Sequence, residues 1–161
     1  MEKTEKIEKT NVMRLLDAAG VEYRSYYYGD TDAISGVEVA EVLQQDKDQV
    51  FKTLVTVGRS KENYVFVIPV AQELELKKAA RAVGEKSIEM IKSKELLPLT
   101  GYIHGGCSPI GMKKTFRTVI DESAILFDSI IFSAGKIGYQ VETALEGLEK
   151  LISFELADVC K

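Results

Sequence analysis

Two apolar, β-branched segments separated by a short polar turn place the strongest constraint on the fold of this chain. The first, VFKTLVTVG, covers residues 50–58, and the second, YVFVIPV, covers residues 64–70. Branched and aromatic side chains favour strands, and the GRSKEN segment between the two runs carries turn residues. The pattern predicts a hairpin of two strands with a longer loop.

Helices and further strands are predicted on both sides of this hairpin. The helical signals are apolar spacing before Gly20, a capping box at Ser35 and Glu38, and a glycine stop at Gly84. The predicted helices cover residues 12–19, 35–45, 73–83 and 93–99 (a short one broken by Pro98), with a last one starting at a Thr143–Glu146 capping box and using Leu145, Leu148, Leu151 and Ile152. The further predicted strands cover residues 21–28, 86–91, 116–121 and 128–135.

The order of these elements predicts the fold class. Helices alternate with strands, and several strands are hairpin-like neighbours, which is typical of an α+β (mixed α/β) fold with a mixed sheet flanked by helices. A length of 161 residues fits one domain, and no repeat or linker interrupts the chain. We therefore expect a single domain over residues 1–161, in which the charged residues 1–9 form a flexible lead-in.

Charge and composition exclude several classes of protein. The formal net charge is -4, from 21 basic and 25 acidic residues, which argues against a generally basic nucleic-acid coat protein but leaves a local basic groove open. No apolar run approaches the roughly 20 residues needed to cross a bilayer, and the charged N-terminus does not resemble a secretory signal. Cys107 and Cys160 are too few for a disulfide scaffold. They indicate free thiols in a reducing compartment, so we expect a cytoplasmic protein.

The segment GGCSPIGMKK, residues 105–114, is rich in main-chain donors and is followed by two lysines. Gly106 and Gly111 have the spacing of a P-loop, but Met112 stands where that motif has lysine and Pro109 removes an N–H group. A nucleotide triphosphatase is therefore rejected. Closely spaced glycines let N–H groups approach an anion or a carbonyl oxygen, whereas a plain tight turn would leave the cluster of Cys107, Ser108 and lysines unexplained.

Three other features have both a functional and a structural interpretation. Lys52 lies within a predicted strand, where a position on a solvated face is the commoner fate of lysine, although its apolar neighbours on that face allow a partly buried cation. The segment SAGKIGYQ, residues 133–140, is a hairpin turn that could also close a pocket. The tyrosines at 26–28 could stack on a base or a ribose, or simply span from core to solvent.

A protein nucleophile and a metal site have little support in the sequence. His104 is the single histidine, and Cys107 or Ser108 would need it as a base together with a third orienting group. Residues three and four apart in a glycine-rich loop give no reason to expect that geometry. One histidine and two distant cysteines do not make a usual ligand set, so we predict no metal and no cofactor.

Several of these segments, in this order, resemble the YbaK/EbsC family of aminoacyl-tRNA deacylases, which is related to the editing domain of bacterial prolyl-tRNA synthetase. They are KTN…RLLDAAGV, VFKTLV, VIPVAQELELKKAA, TGYIHGGCSPIGMKK and SAGKIGYQ. The resemblance implies a mixed, partly barrel-like sheet flanked by helices, with a pocket for the 3′ aminoacyl-adenosine end of a mischarged tRNA. It implies removal of cysteine from Cys-tRNA(Pro), with Cys-tRNA(Cys) as a further substrate and prolyl-tRNA synthetase as a partner, and no membrane.

The resemblance also assigns roles to residues of this chain. The implied catalytic residues are Lys52, Gly105 and Gly106. The implied substrate-binding residues are Tyr28, Ser35, Thr53, Ser108, Pro109, Gly111, Ser133, Gly135 and Gln140, and the implied contacts to tRNA phosphates are Lys113, Lys114 and Lys136. Two departures from the family pattern are Ile137, where arginine is frequent, and Gln140, where aspartate sometimes stands.

The mechanism implied for the cysteine-specific members needs no protein nucleophile. The thiol of the substrate attacks its own ester carbonyl and forms a thiolactone, while the glycine loop holds the carbonyl oxygen and the lysine positions the phosphate–ribose end. This is a check on a synthetase that cannot fully reject a side chain of similar size. Two alternatives stay open: a non-catalytic tRNA- or synthetase-binding module on the same fold, and a deacylase for another small amino acid, such as alanine, with water as the nucleophile.

Overall fold

The computed structural model describes residues 8–161, and every helix and strand below lies in that range. In chain order the elements are α1 (Asn11–Ala18), β1 (Arg24–Tyr27), α2 (Gly36–Val42), β2 (Phe51–Gly58), β3 (Asn63–Pro69), α3 (Leu76–Val83), β4 (Ile88–Met90), α4 (Ser93–Thr100), β5 (Arg117–Asp121), a 3-10 helix (Glu122–Leu126), β6 (Ile130–Ser133), β7 (Tyr139–Thr143), α5 (Leu145–Leu148) and β8 (Glu155–Ala157).

The predicted hairpin of β2 and β3 is confirmed and forms the middle of a five-stranded sheet. The strand order is β4-β2-β3-β5-β8, and β2 pairs with β3 in antiparallel register from Phe51–Pro69 to Val57–Asn63. β5 is parallel to β3, and β8 is parallel to β5. The sheet is therefore mixed, and with the helices around it the α+β class predicted from the sequence is confirmed.

A second, antiparallel sheet of three strands has the order β1-β7-β6. It meets the larger sheet where β2 begins: Val50 and Ile131 form an isolated parallel bridge, and the Ile131 N–H donates to the Gln49 carbonyl at 3.1 Å. The strands thus divide between two sheets. The junction leaves a gap between the start of β2, the end of β6 and the start of β7. This gap becomes the site described below.

The largest apolar cluster packs α1 against both sheets. Val12, Met13 and Leu16 of α1 are buried in it, together with Phe51 of β2 and Phe132 of β6. Removing a side chain of this size from water contributes roughly 1.5–3 kcal/mol. A second cluster packs α3 on the opposite side of the large sheet. Both faces of β3 are consequently buried, which explains why YVFVIPV is an unbroken apolar run.

Two of the predicted capping signals operate in the structure. The Ser35 hydroxyl accepts from the Glu38 N–H at 3.2 Å, and the Glu38 carboxylate accepts from the Ser35 N–H at 2.9 Å, so the capping box is present. Gly84 ends α3 with a φ of 76°, in the left-handed region that glycine adopts without strain.

The predicted capping box at Thr143 and Glu146 is wrong. The Thr143 hydroxyl donates instead to the Glu22 carbonyl at 3.1 Å, because Thr143 is the last residue of β7 and lies next to the segment before β1. Ala144 occupies the cap position without a side-chain bond, and α5 lasts only four residues. The apolar face was identified correctly, since Leu148 is fully buried and Leu145, Leu151 and Ile152 pack against the main cluster.

Pro98 does not break its helix as predicted. It lies inside α4, which continues to Thr100 and ends at Gly101. A proline at this point removes one intrahelical donor but leaves the neighbouring bonds, including the one from the Gly101 N–H to the Leu97 carbonyl at 2.8 Å. Other differences are β7, which the sequence reasoning treated only as part of a turn, and β8 and the 3-10 helix, which it did not predict.

Residues 1–7 of the expected lead-in lie outside the described residues, so its flexibility stays a prediction. The last two of its residues are described and make ion pairs: Glu8 with Lys136 at 2.6 Å and Lys9 with Asp17 at 2.5 Å. Over residues 8–161, none of the helices has the length and apolar character that a bilayer crossing requires. The single-domain organisation also stays a prediction.

Candidate active site

A cavity of about 340 Å³ lies at the junction of the two sheets. Its walls come from the start of β2, the end of β6, the start of β7, the N-terminal turn of α2 and the loop after α4. The predicted site residues that line it are Tyr28, Ser35, Lys52, Thr53, Gly105, Ser133 and Gln140. Residues about 100 positions apart in the sequence therefore share one cavity.

The β2 wall contributes Lys52 and Thr53. Lys52 is half-buried, and its ammonium forms no ion pair within residues 8–161, although after Lys161 it helps to lower the pKa of the Glu73 carboxylate. The cation lines the cavity and remains available to an anionic or polar ligand. The Thr53 Oγ1 atom is buried and has no hydrogen-bond partner within the described chain. A buried hydroxyl without a partner costs free energy, and because this atom is inaccessible to solvent, a ligand oxygen or nitrogen would reach it only after the Thr53 side chain rotates.

The β6–β7 wall contributes Ser133 and Gln140, which face each other across the hairpin. The Ser133 hydroxyl accepts from the Gly135 N–H at 3.1 Å, which leaves its own proton free to donate. Gln140 is almost completely buried, and its Oε1 accepts from the Nε2 of Gln45 at 2.8 Å. This bond directs the carbonyl end of the Gln140 side chain toward Gln45 and leaves the amide nitrogen for the cavity.

The glycine loop reaches the cavity through Gly105 and Cys107. Gly105 has a φ of 89°, a conformation that residues with a side chain rarely adopt, and its N–H donates to no acceptor among residues 8–161. Gly106 differs, since its N–H donates to the Ile103 carbonyl at 3.0 Å and it does not line the cavity. Of the two glycines predicted to be catalytic, only Gly105 offers a free donor to a ligand.

The remaining glycine-loop residues of the predicted site do not line the cavity. Ser108 is fully buried and its hydroxyl accepts from the Ile110 N–H at 3.3 Å, and Pro109 is buried beside it. Gly111 has a φ of 79°, and a Cβ atom there would lie 2.9 Å from the Tyr102 hydroxyl. Gly135 is also outside the cavity, against Tyr102 and Val12. These positions shape the loop.

The three lysines predicted to contact phosphates lie on the surface and outside the cavity. Lys113 and Lys114 are exposed, and Lys113 is tied to the end of α4 through its N–H, which donates to the Thr100 carbonyl at 3.0 Å. Lys136 pairs with Glu8 and lies 5.5 Å from the centre of the Tyr139 ring. The Glu8 carboxylate raises the pKa of Lys136, which therefore keeps its charge. The assignment of all three to phosphates stays a prediction.

Cys107 and His104 both line the cavity, although no hydrogen bond joins them among the described residues. Burial raises the pKa of the Cys107 thiol to about 12, so the thiol is neutral near pH 7. A thiol needs to be ionised to act as a nucleophile. The cavity thus contains a cysteine that the structure does not activate, which agrees with the interpretation of the sequence.

Sequence reasoning missed the apolar part of the lining. The residues in question are Ile34, Val37, Val39, Val50, Phe51, Leu54, Val70, Leu96 and Tyr139. They come from α2 and the residues before it, the half of the β2–β3 hairpin opposite its turn, α4 and β7. Phe51 and Leu54 stand next to Lys52 and Thr53, so the segment itself carried a signal for them, whereas α2 reaches the cavity only through the tertiary fold.

The fold and the cavity define a class of α+β protein with a small-ligand site between two sheets, and solved structures share this fold. One crystal structure, described as that of a candidate trans-editing enzyme for prolyl-tRNA synthetase, superposes with a TM-score of 0.80 at 24% identity, over 93% of this chain and 94% of that chain. Another, of a hypothetical protein, APE2540, has a TM-score of 0.82 at 22% identity, over 96% and 100% of the two chains.

Sequence comparison gives the family. Residues 31–151 match the family model of the aminoacyl-tRNA editing domain, and the chain belongs to this family. A protein of Enterococcus faecalis, described as a candidate Cys-tRNA(Pro)/Cys-tRNA(Cys) deacylase, EbsC, is 46% identical over 160 residues, which is 99% of this chain and 98% of the relative. The resemblance seen in the motifs is thereby confirmed over nearly the full length.

Proposed function

We propose that this chain removes cysteine from Cys-tRNA(Pro) and Cys-tRNA(Cys) by cleaving the aminoacyl ester. The observation that carries the proposal is one cavity lined by both Lys52 and Gly105, where neither the Lys52 ammonium has an ion pair nor the Gly105 N–H an acceptor among residues 8–161. Membership of the editing-domain family and the EbsC relative support the same reaction.

The aminoacyl ester offers groups that match these donors. Its carbonyl oxygen gains negative charge when the carbonyl carbon is attacked, and the Gly105 N–H is placed to stabilise that charge, as donors do in oxyanion holes. The ammonium of Lys52 suits the phosphate and ribose oxygens of the terminal nucleotide. Ser133 of the β6–β7 wall adds a hydroxyl, and Thr53 of the β2 wall adds a second one once its side chain rotates toward the ester.

The nucleophile in this mechanism is the thiol of the substrate. Its sulfur bonds to the carbonyl carbon while the bond from that carbon to the 3′ oxygen of the ribose breaks, and the thiol proton ends on that oxygen. The products are a cysteine thiolactone and free tRNA. Correct orientation can lower the activation free energy of an intramolecular reaction by about 7–11 kcal/mol, and the cavity would provide this orientation. The neutral Cys107 thiol is compatible with this route because no protein thiolate is required.

The proposal extends to the setting in which the reaction occurs. A substrate of this kind appears when prolyl-tRNA synthetase charges its tRNA with cysteine, which is similar to proline in size. One structural neighbour is described as a candidate trans-editing enzyme for that synthetase. We therefore include the synthetase as a partner and the cytoplasm as the compartment.

A panel of mischarged tRNAs tests the proposed function. The purified full chain is incubated with Cys-tRNA(Pro), Cys-tRNA(Cys), Ala-tRNA(Pro) and Pro-tRNA(Pro), and release of the labelled amino acid is followed. We expect rapid loss of cysteine and little loss of proline or alanine. Replacing the substrate cysteine by serine should stop the reaction, since a hydroxyl is a poorer nucleophile. Loss of alanine with retention of cysteine would instead indicate attack by water, and stable esters throughout would indicate a binding module.

A further inference from the structure

Two exposed apolar side chains lie at the cavity or directly beside one of its lining residues: Ile34 and Ile137, which we name the apolar rim. Ile34 lines the cavity and is 86% exposed, the highest fraction among the large apolar residues of the described chain. Ile137 is 53% exposed. Exposed apolar residues are common singly, but here one lines the cavity and the other rests on Gly105, which also lines it.

The loops that carry the two isoleucines lie side by side. The Tyr28 N–H, at the start of the loop that leads to Ile34, donates to the Gly138 carbonyl at 2.7 Å. A Cβ atom on Gly138 would lie 3.3 Å from the Cα of Gly29. Ile34 itself is fixed through its N–H, which donates to the Glu38 carboxylate at 3.0 Å. The rim is therefore a defined edge, built from the 29–35 loop and the β6–β7 turn.

Ile137 also covers the glycine loop. Its Cγ1 atom would lie 3.6 Å from a Cβ atom built on either Gly105 or Gly106, which means that the side chain rests on this dipeptide. Gly105 lines the cavity, and its N–H has no acceptor among residues 8–161. A ligand group that contacts Ile137 therefore lies next to Gly105. The proposed function assigns the N–H of Gly105 to the ester carbonyl.

The chemistry of the rim favours a flat apolar partner over a phosphate. The β6–β7 turn has one cation, Lys136, and that ammonium is already paired with Glu8 at 2.6 Å. Ile137, the next residue along the chain, rests on Gly105 and Gly106 and adds apolar surface without charge. A nucleobase has two apolar faces. Proteins that bind single-stranded nucleic acid stack bases on aromatic side chains, and proteins that kink a duplex insert apolar side chains such as Ile and Leu between bases.

We propose that the apolar rim holds the terminal adenine of the charged tRNA, so that Ile34 and Ile137 recognise the substrate by its base and not by its amino acid. This rests on the proposed function, since an ester bound at Gly105 carries its adenosine outward past the rim. The rim then contributes to binding of the nucleoside, whereas Lys52, Thr53 and Gly105 act on the reacting groups. Small esters without a base would react at the same cavity without using the rim.

The test compares substrates with and without the base. Cysteine release from Cys-tRNA(Pro), from 3′-cysteinyladenosine and from cysteine methyl ester is measured for the unmodified chain and for the double variant Ile34→Ser, Ile137→Ser. We expect KM to rise about fivefold or more for the two adenosine substrates with kcat unchanged, and no change for the methyl ester. The double variant Ile34→Leu, Ile137→Leu should restore the KM.

A matched control uses apolar residues with similar exposure at another place. Ile125 and Leu126 belong to the 3-10 helix, are 62% and 78% exposed and do not line the cavity. Changing both to serine removes the same amount of apolar surface, and we expect all three substrates to react as before. An equal rise in KM in this control, or an unchanged KM for adenosine substrates in the rim variant, would overturn the proposal.

A binding measurement keeps the rim testable if no ester is cleaved. The trinucleotide CCA and the same molecule with an abasic third residue are titrated into the unmodified chain and the serine variant. A preference for CCA that disappears in the variant supports the rim as a base site, even if the proposed deacylation fails. No preference in the unmodified chain, or a change only in self-association of the variant, would show that the rim serves another partner.

Discussion

The two polar walls of the cavity differ in how their predicted residues are used. On the β-strand wall, Lys52, Thr53, Ser133 and Gln140 all line the cavity. On the glycine-loop wall, Gly105 lines the cavity. Ser108 accepts a hydrogen bond from the Ile110 N–H and Gly111 lies close to Tyr102, and neither lines the cavity. A strand bonds its main chain to the neighbouring strands and leaves its side chains for a site, whereas a loop must first satisfy its own main chain.

The largest effect should come from removing the cation of the strand wall. We expect Lys52→Met to lower kcat/KM for cysteine release about 100-fold, because this ammonium has no ion pair in the described chain and is available to the substrate. The melting temperature should change little, since Lys52 is only half-buried. Labelled cysteine release and a thermal melt give both values.

Lys113→Met is the control from the glycine-loop side, with the same change of charge outside the cavity. It should keep most of the activity on cysteine methyl ester and lose activity only on full tRNA. A comparable loss in Lys113→Met on the small ester would remove the distinction between the two walls.

Gly105→Ala and Gly111→Ala form a matched pair within the loop. Both glycines have a φ in the left-handed region, 89° and 79°, so each alanine costs about 1–2 kcal/mol of stability. We expect Gly105→Ala to lower kcat/KM about tenfold, since the strain acts on the donor at the cavity. Gly111→Ala should lower the melting temperature further, because its Cβ would lie 2.9 Å from the Tyr102 hydroxyl, with activity retained in the folded fraction.

The activity of each alanine variant is measured at 20 °C, well below its melting transition, and is divided by the folded fraction from circular dichroism. If the two variants lost activity and stability in the same proportion, the loop would act as one structural unit and Gly105 would have no separate role.

A substitution at Gln45 tests how the strand wall is positioned, because Gln45 lies outside the cavity and orients Gln140. Its Nε2 donates to the Gln140 Oε1 at 2.8 Å, and its own Oε1 is buried without a partner in the described chain. We expect Gln45→Ala to raise KM about threefold by freeing the Gln140 amide to rotate, with kcat nearly unchanged. Gln45→Met, which fills the same space without the donor, should behave like alanine, and recovery by methionine would show that packing alone matters.

The smallest effect on activity is expected for Cys107. Burial holds its thiol neutral, so Cys107→Ser should alter kcat/KM less than twofold in the cysteine-release assay. A loss of 100-fold would assign the thiol a chemical role and would contradict attack by the thiol of the substrate.

The same thiol predicts how stability depends on pH. Burial raises the pKa of Cys107, and of the Tyr102 hydroxyl, to about 12, above their ordinary values of 9.0 and 10.0. The unfolded chain therefore releases these protons at a lower pH than the folded chain. The stabilisation is complete below pH 9 and is lost as the pH rises toward 12. Between pH 8 and pH 11 the melting temperature should fall, and it should fall less steeply in Cys107→Ser. The same dependence of melting temperature on pH in both proteins would contradict a contribution from the Cys107 thiol.

Local patterns predicted most of the fold because they report on local bonding. The β-branched runs gave the β2–β3 hairpin, and the Ser35–Glu38 pair gave the start of α2. Local patterns fail at Thr143, where the sequence predicted a helix cap. The Thr143 hydroxyl donates to the Glu22 carbonyl instead, because β7 places Thr143 beside the segment before β1. Long-range strand pairing decides such cases, and no short pattern contains it.

The site was predictable to the extent that family motifs mark it. The motifs pointed to Lys52 and Gly105, but they treated Gly105 and Gly106 alike, and only the hydrogen bond from the Gly106 N–H to the Ile103 carbonyl separates them. Gln45 carried no signal at all, since its contact to Gln140 joins residues 95 positions apart. Apolar lining from α2 was missed for the same reason.

The seam between the sheets gives the cavity a mechanical property. Its walls belong to both sheets, yet where β2 begins the sheets are bridged by Val50 and Ile131, with the Ile131 N–H donating to the Gln49 carbonyl. The main hydrophobic cluster packs α1 against both sheets, and a smaller cluster joins Val50 to Ile131 across the seam, so a rotation between the sheets would break apolar contacts. The cavity is therefore held at a fixed width, and slow deuterium uptake at the Ile131 amide would report this rigidity.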